Sequence, residues 1–324
     1  ASERAIMPPK AKASTSAAEN EPAAKKSKTS SACFSLVATK QPLCKKGTAD
    51  GEVQKPGYAA VLADGTLLVT SILGIAGFIK VFSSASGAFL HQVPLGDMQM
   101  PISVASDVGT HLRNGITEGG CIYVSLAKCK ERRFAVAKAR LRGSALECLS
   151  MHRDEKLQTE DMTVSASHLF VADRGRCQVL MFDKDDLSAA VRRIGFQRKN
   201  PLDKEPGGLW SPWGVALHGD ELFVSDMSAT KCISVYSQAD GSFRRAFGAA
   251  SNAAGLSFVG DFLLVAEYSG KQIQILGVDG EQLRVVPMPN ARGLKGIAAD
   301  PERDRVFVTD FLKQQVDVLT LEDA

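Results

Sequence analysis

Leu222-Phe-Val-Ser-Asp226 is the stretch that decides the fold, because its pattern returns along the chain. Each copy is a short apolar strand that ends in a small residue followed by an acidic one. A polar turn and a second apolar run come next, as in Ile233-Ser-Val-Tyr236. The other clear copies are Leu169-Phe-Val-Ala-Asp173, Leu263-Leu-Val-Ala-Glu267 and Val306-Phe-Val-Thr-Asp310. This repetition predicts one supersecondary unit used several times.

Two weaker copies, Leu67-Leu-Val-Thr-Ser71 and Ile122-Tyr-Val-Ser-Leu126, raise the number of units to six. From Val69 to Val308 the mean step is about 48 residues, in the range of propeller blades. Inner strands such as Pro212-Trp-Gly-Val-Ala-Leu217, followed by hairpin turns, give each unit four antiparallel strands. The sequence therefore predicts an all-β, six-bladed β-propeller of four-stranded antiparallel blades.

The last unit lacks a fourth strand, because only a few residues follow Leu319. Upstream of the first unit, Cys33-Phe-Ser-Leu-Val-Ala-Thr39 is an unassigned segment with the length and pattern of a strand. Pairing it with residues 316–321 would complete the last blade and remove an exposed sheet edge. We expect the ring to be closed by this N-terminal strand.

Two regions are expected along the 324 residues. Residues 1–31 are rich in Ala, Ser, Lys, Pro and Glu, which predicts a disordered tail. Within it, Lys25-Lys-Ser-Lys28 is either a basic nuclear-import signal or a solvated linker. Residues 32–324 are expected to form the propeller. With no long apolar stretch and seven scattered cysteines, we expect a soluble protein of the cytoplasm or the nucleus that does not contact membranes.

The repeated phrase, with Pro-Trp-Gly-Val-Ala opening the fourth unit, resembles the NHL-repeat family of six-bladed propellers. The likeness covers residues 33–321 and is good in units three to six. It is weaker where Ser71 and Leu126 replace the acidic residue, and residues 101–160 are expected to contain an irregular blade. The resemblance implies a platform for proteins, or sometimes RNA, although related six-bladed folds include lyases and lactonases. The fold alone does not decide among these functions.

The turns between the second and third strands of each blade, and the connections between blades, lie at one end of a propeller, and that end collects cations. The turns at the opposite end carry mostly Asp and Glu. The strand-end acids offset part of the positive charge, so we expect a moderate positive field. The connection 193–210 is the candidate partner-contacting loop. The predicted binding residues at the basic end are Arg174, Arg176, Arg198, Lys199, Lys204, Trp213, Lys231, Lys271, Arg292, Lys295 and Lys313.

No catalytic or metal-binding motif is visible in the sequence, and its five histidines are not expected to converge on one site. We interpret the recurring strand-end acids as acceptors of turn N–H groups and not as metal ligands. The sequence therefore predicts a non-catalytic scaffold, without cofactor or metal, that binds a protein partner at its basic end. RNA binding, which would depend on salt, and a metal-dependent lyase or lactonase are the alternatives.

Overall fold

The computed structural model describes residues 34–39, 41–47, 49–74, 76–95, 99–128, 133–248 and 252–322. These residues form six antiparallel sheets of a β-propeller, which confirms the predicted fold class. In the described part of the chain, the 3-10 turn Pro301–Arg303 is the only helical segment. It is too short and too polar to cross a membrane. The predicted tail 1–31 and the Lys25–Lys28 signal lie outside the described residues.

The blades follow the order of the sequence, and each begins with its innermost strand. Blade 1 consists of β2 (Ala59–Val61), β3 (Thr66–Leu73), β4 (Ala76–Ser83) and β5 (Phe89–Pro94). Blade 2 consists of β6 (Gln99–Ser106), β7 (His111–Arg113), β8 (Ile116–Glu118), β9 (Ile122–Lys128), β10 (Arg133–Arg142) and β11 (Ala145–Asp154). Blade 3 consists of β12 (Thr159–Val164), β13 (His168–Asp173), β14 (Gln178–Asp183) and β15 (Ala190–Ile194).

A short parallel pair, β16 (Phe196–Gln197) and β17 (Gly208–Leu209), lies in the connection to the second half of the ring. Blade 4 consists of β18 (Pro212–His218), β19 (Glu221–Asp226), β20 (Cys232–Ser237) and β21 (Phe243–Gly248). Blade 5 consists of β22 (Ala253–Val259), β23 (Phe262–Glu267), β24 (Gln272–Gly277) and β25 (Gln282–Pro287). Blade 6 consists of β26 (Leu294–Asp300), β27 (Arg305–Asp310), β28 (Gln315–Glu322) and the N-terminal β1 (Ser35–Ala38).

The N-terminal strand closes the ring as predicted. β1 pairs antiparallel with β28, with Leu36 opposite Leu321 and Val37 opposite Thr320. Leu36 is buried among side chains of blades 5 and 6. The pairing leaves β28 without a free edge, so the two ends of the propeller hold each other. Cys33, the first residue of the predicted strand, is outside the described residues.

Blade 2 is irregular, as the sequence predicted. Between its inner strand β6 and the next strand β9 it inserts the hairpin β7–β8. Its outer strands, β10 and β11, have ten residues each and pair along their whole length, with one register shift. The hairpin returns to the sheet where Ile116 pairs with Arg142.

The core lies between the blades. Apolar side chains from neighbouring sheets form one cluster at each junction, as where Tyr123 and Val136 of blade 2 meet Val171 and Leu180 of blade 3. Burying a large apolar side chain contributes roughly 1.5–3 kcal/mol. The apolar faces therefore fix the angle between blades, and the inner strand ends remain to line the central channel.

The inner strands of neighbouring blades approach each other backbone to backbone. A Cβ atom on Gly214 would overlap the carbonyl oxygen of Ala254 in blade 5, so only glycine fits. Hydroxyl groups tie the same strands together. Ser225 Oγ donates to the Ala254 carbonyl at 2.6 Å, and Thr309 Oγ1 donates to the Gly57 carbonyl at 2.6 Å. Side chains near these strand starts are thus held on a rigid ring.

Candidate active site at the channel mouth

A bulge near the start of the inner strands directs side chains toward one end of the central channel. In blade 3 the register shifts between Thr159 and Met162, and blades 4, 5 and 6 shift at the equivalent place. A bulge bends the strand and re-aims its side chains. The bulge residues include Glu160, Trp213 and Lys295. The channel mouth is defined here as Tyr58, Glu160, Asp161, Arg174, Trp213, Tyr268, Lys295 and Phe311.

An ion pair crosses the channel at this mouth. Lys295 Nζ of blade 6 lies 3.0 Å from Glu160 Oε2 of blade 3, the opposite blade of the ring. Arg174, just after β13, places Nη1 at 3.1 Å from the other oxygen, Oε1. The side chains of Glu160 and Lys295 are 8% and 11% exposed, whereas that of Arg174 is 40% exposed. One carboxylate therefore serves two cations, and only Arg174 is open to solvent.

The Glu160–Lys295 contact is close but poorly directed. Glu160 Oε2 is buried and lies only 3.0 Å from Lys295 Nζ. Even so, it accepts no hydrogen bond with good geometry from the described residues. We regard the contact as an ion pair by proximity, because the 3.0 Å distance suffices for Coulomb attraction. A carboxylate oxygen in this state keeps a lone pair that can take up a proton.

Aromatic rings surround the Lys295 ammonium. Its Nζ lies 5.1 Å from the ring centroid of Trp213, 5.2 Å from that of Tyr58 and 5.3 Å from that of Phe311. Tyr268 packs edge-on against Trp213 at 5.4 Å. Rings at these distances attract a cation, and they also displace water from it. Lys295 is therefore a largely desolvated amine with one acidic partner.

Asp161 lies beside this cluster and joins three blades. Its Oδ1 accepts the Ser103 hydroxyl of blade 2 at 3.1 Å and the Met162 N–H at 2.9 Å. Its Oδ2 faces the Val215 N–H of blade 4 at 3.3 Å. Burial raises the pKa of Asp161 to about 7, although these hydrogen bonds and the charge of Lys295 act in the opposite direction. The mouth thus contains a carboxyl group that titrates near neutral pH.

Tyr58 contributes a buried phenol to the same cluster. Its hydroxyl has no hydrogen-bond partner among the described residues. Burial, and then the charges of Glu160 and Asp161, raise the pKa of Tyr58 well above its ordinary value. This phenol therefore stays protonated and is free to donate a hydrogen bond.

Three of the residues predicted as binding residues, Arg174, Trp213 and Lys295, meet in the channel mouth. Two others are engaged in ion pairs within the protein. Arg176 pairs with Asp154 at 2.5 Å and with Asp173 at 3.1 Å. Arg198 is 4% exposed and pairs with Asp226 at 2.8 Å. Their guanidinium groups bond to acidic side chains of the protein, and partner binding by them stays a prediction from the sequence.

The other six predicted binding residues do not join the mouth cluster. Four are exposed on turns or on the connection before blade 4, and two flank the end of β27, where their backbone N–H groups bond to Asp310 at 2.8 and 2.9 Å. The exposed four are Lys199, Lys204, Lys231 and Lys271, and the two that flank β27 are Arg292 and Lys313. Partner binding by these six residues stays a prediction from the sequence.

Three of the four strand-end acids accept turn N–H groups, as the sequence predicted, but the prediction is wrong for Glu267, whose two carboxylate oxygens are buried without a hydrogen-bond partner among the described residues. Asp226 accepts the backbone N–H groups of Trp210 and Ser211 at 3.0 and 2.8 Å. Asp173 and Asp310 make equivalent bonds. Across the described ranges, no three His, Cys, Asp or Glu side chains cluster as metal ligands.

Five residues of the mouth were not among the binding residues predicted from the sequence, namely Tyr58, Glu160, Asp161, Tyr268 and Phe311. The repeat pattern aligns the blades on the second strand, whereas the mouth is built largely from the bulge of the first strand. At the equivalent bulge position blades 2 and 5 carry Ile102 and Ala254, whereas blades 4 and 6 carry Trp213 and Lys295. A comparison of this position between blades was the available signal, because three blades carry a charged or large aromatic residue there.

No protein-family model matches the chain, and no curated protein matches its sequence. Solved structures do match it, among them the PQQ-bound form of aldose sugar dehydrogenase from Streptomyces coelicolor. That match has 12% sequence identity and a TM-score of 0.59, and it covers 90% of this chain and 99% of the other. At this identity the likeness shows the propeller fold.

The prediction of a non-catalytic protein-binding scaffold is wrong. The matched structure is an enzyme on the same fold, so the lack of a local catalytic motif is no argument against catalysis. The physical reason is that a propeller assembles its channel mouth from side chains of different blades. Glu160 and Lys295, on opposite blades, form no contiguous motif that a sequence scan would detect.

Proposed function

We propose that this protein is an enzyme that acts on a small organic carboxylate in the channel mouth. The observation that carries the proposal is the Glu160–Lys295 ion pair across the channel, with Arg174 bound to the same carboxylate. In the free protein, Glu160 occupies the place where a substrate carboxylate would bind. The site is built from side chains of separate blades, whose charged groups converge at one end of the channel.

Arg174 is the proposed anchor of the substrate. Its guanidinium is the exposed cation of the cluster, and its planar fork matches a carboxylate. A substrate carboxylate would displace Glu160 from Arg174, and the Glu160 carboxylate would turn while it keeps its contact with Lys295. The faces of Trp213 and Tyr268 would then pack against the carbon skeleton of the substrate.

Proton transfer is the chemistry that the remaining groups support. Asp161 has its pKa raised to about 7, so both of its protonation states are populated near neutral pH, as a general acid or base requires. Glu160 is an acceptor with an unused lone pair, and the Tyr58 hydroxyl is an unpaired donor among the described residues. The proposed reaction class is acid–base catalysis on the substrate carbon or oxygen next to its carboxylate.

The PQQ cofactor of the sugar dehydrogenase does not fit this mouth. PQQ is a planar quinone with three carboxylates, whereas the mouth offers two cations that share Glu160. Asp161 adds a further acidic group. Histidine is absent from the mouth as defined, because the described histidines lie on β5, β7, β11, β13 and β18. The proposed chemistry therefore uses no quinone.

We propose further that the blades are NHL-like repeats. The support is the phrase Leu222–Asp226 and its copies, which form the second strand of each blade. A protein partner, an RNA partner and a cytoplasmic or nuclear location remain predictions from the sequence.

Ligand binding to matched variants tests the proposed function. Pyruvate, glycolate and gluconate would be titrated against the wild type, Arg174→Gln and Glu160→Gln by isothermal calorimetry. At least one probe should bind the wild type. Arg174→Gln should weaken that binding about tenfold or more, since a charge-assisted hydrogen bond is lost. Glu160→Gln should strengthen it, because the internal competitor for Arg174 is gone.

The matched control is Lys271→Gln, an exposed cation on the equivalent turn of blade 5. It should leave the affinity unchanged. If Lys271→Gln weakens binding as much as Arg174→Gln, the general positive charge of this end is responsible and the proposed site is wrong. If no probe binds the wild type or Glu160→Gln, the mouth is not a carboxylate site.

A further inference from the structure

We infer that Lys295 forms a Schiff base with the ketone or aldehyde carbon of a small oxo-carboxylate. The inference rests on the proposed function and names its substrate class and its covalent step. Two observations support this inference: the surroundings of Lys295 Nζ, and the spacing of Arg174 and Lys295 around Glu160.

The environment of the Lys295 amine favours nucleophilic attack. Three aromatic rings lie 5.1–5.3 Å from Lys295 Nζ, and the side chain is 11% exposed. A lysine that attacks a carbonyl must first give up a proton, which a neighbouring acceptor can take. The rings also exclude the water that would hydrolyse an imine.

Glu160 supplies the proton acceptor. Its Oε2 lies 3.0 Å from Nζ, within hydrogen-bond reach, and holds no well-directed hydrogen bond from the described residues. It can therefore take the proton that the ammonium must lose before attack. The other oxygen, Oε1, lies toward Arg174 at 3.1 Å.

The spacing of the two cations suits a 2-oxo acid. Arg174 and Lys295 each contact one oxygen of the Glu160 carboxylate. The distance between their nitrogen atoms is therefore set by the width of that carboxylate and by the two nitrogen–oxygen distances. In a 2-oxo acid the carbonyl carbon is directly bonded to the carboxylate. With the carboxylate at Arg174, the neighbouring carbonyl carbon would therefore come within reach of Lys295.

The step is balanced without an external reactant. Glu160 accepts one proton from the Lys295 ammonium, and the neutral nitrogen attacks the carbonyl carbon to form a C–N bond. The carbonyl C–O bond then breaks, and the oxygen leaves as water with two of the protons that began on Nζ, one of them returned by Glu160. The iminium nitrogen keeps the third proton, so the positive charge is conserved.

The test traps the imine by reduction. The full chain would be incubated with pyruvate and sodium cyanoborohydride, and adducts would be mapped by peptide mass spectrometry. We expect Lys295 to be modified at least about tenfold faster than the exposed Lys271, because an amine beside a proton acceptor is activated. Lys80 is a stricter internal comparison. It is 4% exposed and burial lowers its pKa, but its Nζ bonds to the Gln92 side chain in place of a carboxylate.

Two variants sharpen the test. Lys295→Arg keeps the charge and should lose the adduct, and a melting curve would verify that it folds. Glu160→Gln should bind pyruvate at least as well as the wild type yet form the adduct about tenfold more slowly, since the proton acceptor is lost. This split between binding and chemistry would not arise if Glu160 had only a structural role.

Pyruvate binding measured without reductant separates the two claims. Binding that depends on Arg174, together with no excess of adduct at Lys295 over Lys271 and Lys80, overturns the Schiff-base inference and leaves the proposed function standing. The absence of both binding and adduct overturns both. An adduct at Lys295 that survives in Glu160→Gln at the wild-type rate contradicts the role given to Glu160.

Discussion

Two buried ion pairs occur at the same end of this propeller, and their surroundings differ. Arg198–Asp226 lies within blade 4 and its preceding connection, whereas Lys295–Glu160 joins opposite blades across the channel. Both use one basic and one acidic side chain with little exposure. The difference lies in how fully each pair is hydrogen-bonded.

The Arg198 pair is nearly saturated. Its guanidinium donates to the Gly208 carbonyl at 2.8 Å, the Thr230 hydroxyl at 2.7 Å and Asp226 at 2.8 Å. Asp226 in turn accepts two backbone N–H groups. Such a network fixes one conformation of the chain and leaves no group for a ligand.

The Lys295 pair is left incomplete. Lys295 has aromatic faces and one carboxylate around it, and Glu160 Oε2 lacks a directed hydrogen bond from the described residues. A buried charge pair without further hydrogen bonds contributes little stability. Incomplete hydrogen bonding, more than burial, therefore distinguishes the candidate site from a structural ion pair.

The largest expected effect is on stability, at the saturated pair. Arg198→Met should lower the free energy of unfolding by about 3–5 kcal/mol, because Asp226 is left as an uncompensated buried charge. Urea denaturation followed by circular dichroism measures the change. A loss below about 1 kcal/mol would remove the contrast between the two pairs. The double variant Arg198→Met, Asp226→Asn should recover part of the loss.

The next effect is a pH dependence at Asp161. Its pKa is raised from 3.8 to about 7 in the folded protein, so between these values the folded state holds a proton that the unfolded state releases. Wild-type stability relative to Asp161→Asn should therefore fall as pH rises from 3.8 to about 7 and level off above it. A tenfold difference in proton affinity between the two states corresponds to about 1.4 kcal/mol.

Urea denaturation of both proteins across this pH range checks the prediction. Parallel curves for the wild type and Asp161→Asn would contradict a raised pKa at Asp161. A relative gain in wild-type stability with rising pH would mean that the carboxylate form is the one stabilised.

A smaller effect on stability is expected at the incomplete pair. Lys295→Met should change the free energy of unfolding by about 1 kcal/mol or less, since methionine fills the aromatic cage and Glu160 keeps Arg174. The same variant should lose covalent trapping of pyruvate entirely. If Lys295→Met destabilises the protein as much as Arg198→Met, the cross-channel pair is structural.

The smallest effect is expected from a cation outside both pairs. Lys199→Gln changes an exposed residue of the connection before blade 4. Its stability should stay within about 0.5 kcal/mol of the wild type, and pyruvate affinity should not change. A clear loss of affinity, measured by calorimetry, would show that the surface field and not the mouth attracts the ligand.

The repeat made the architecture predictable from the sequence. Each copy of the Leu222–Asp226 phrase became a second strand, and the missing last strand predicted the pairing of β1 with β28. The irregularity of blade 2 was also expected, although its inserted hairpin β7–β8 was not. These features depend on local pattern and on chain connectivity, which a single sequence contains.

The site was only partly predictable. Arg174, Trp213 and Lys295 were assigned to the correct end, but as a diffuse basic surface. Their partner Glu160 lies in the segment treated as irregular, and the contact joins opposite blades. Such a contact depends on ring closure and on bulge geometry, neither of which leaves a pattern along the chain.

The two tryptophans allow the most direct test of a carboxylate site in the channel mouth. Trp213 lies in the mouth against Lys295, whereas Trp210 lies in the connection before blade 4, where its carbonyl accepts the Cys177 thiol. Nitrogen-15 spectra of the indole groups would be recorded during a pyruvate titration, with Trp210→Phe assigning the signals. We expect a saturable shift of the Trp213 signal that exceeds any shift of Trp210 and disappears in Arg174→Gln. A Trp213 signal that stays in place up to high pyruvate concentration would contradict a carboxylate site in the channel mouth.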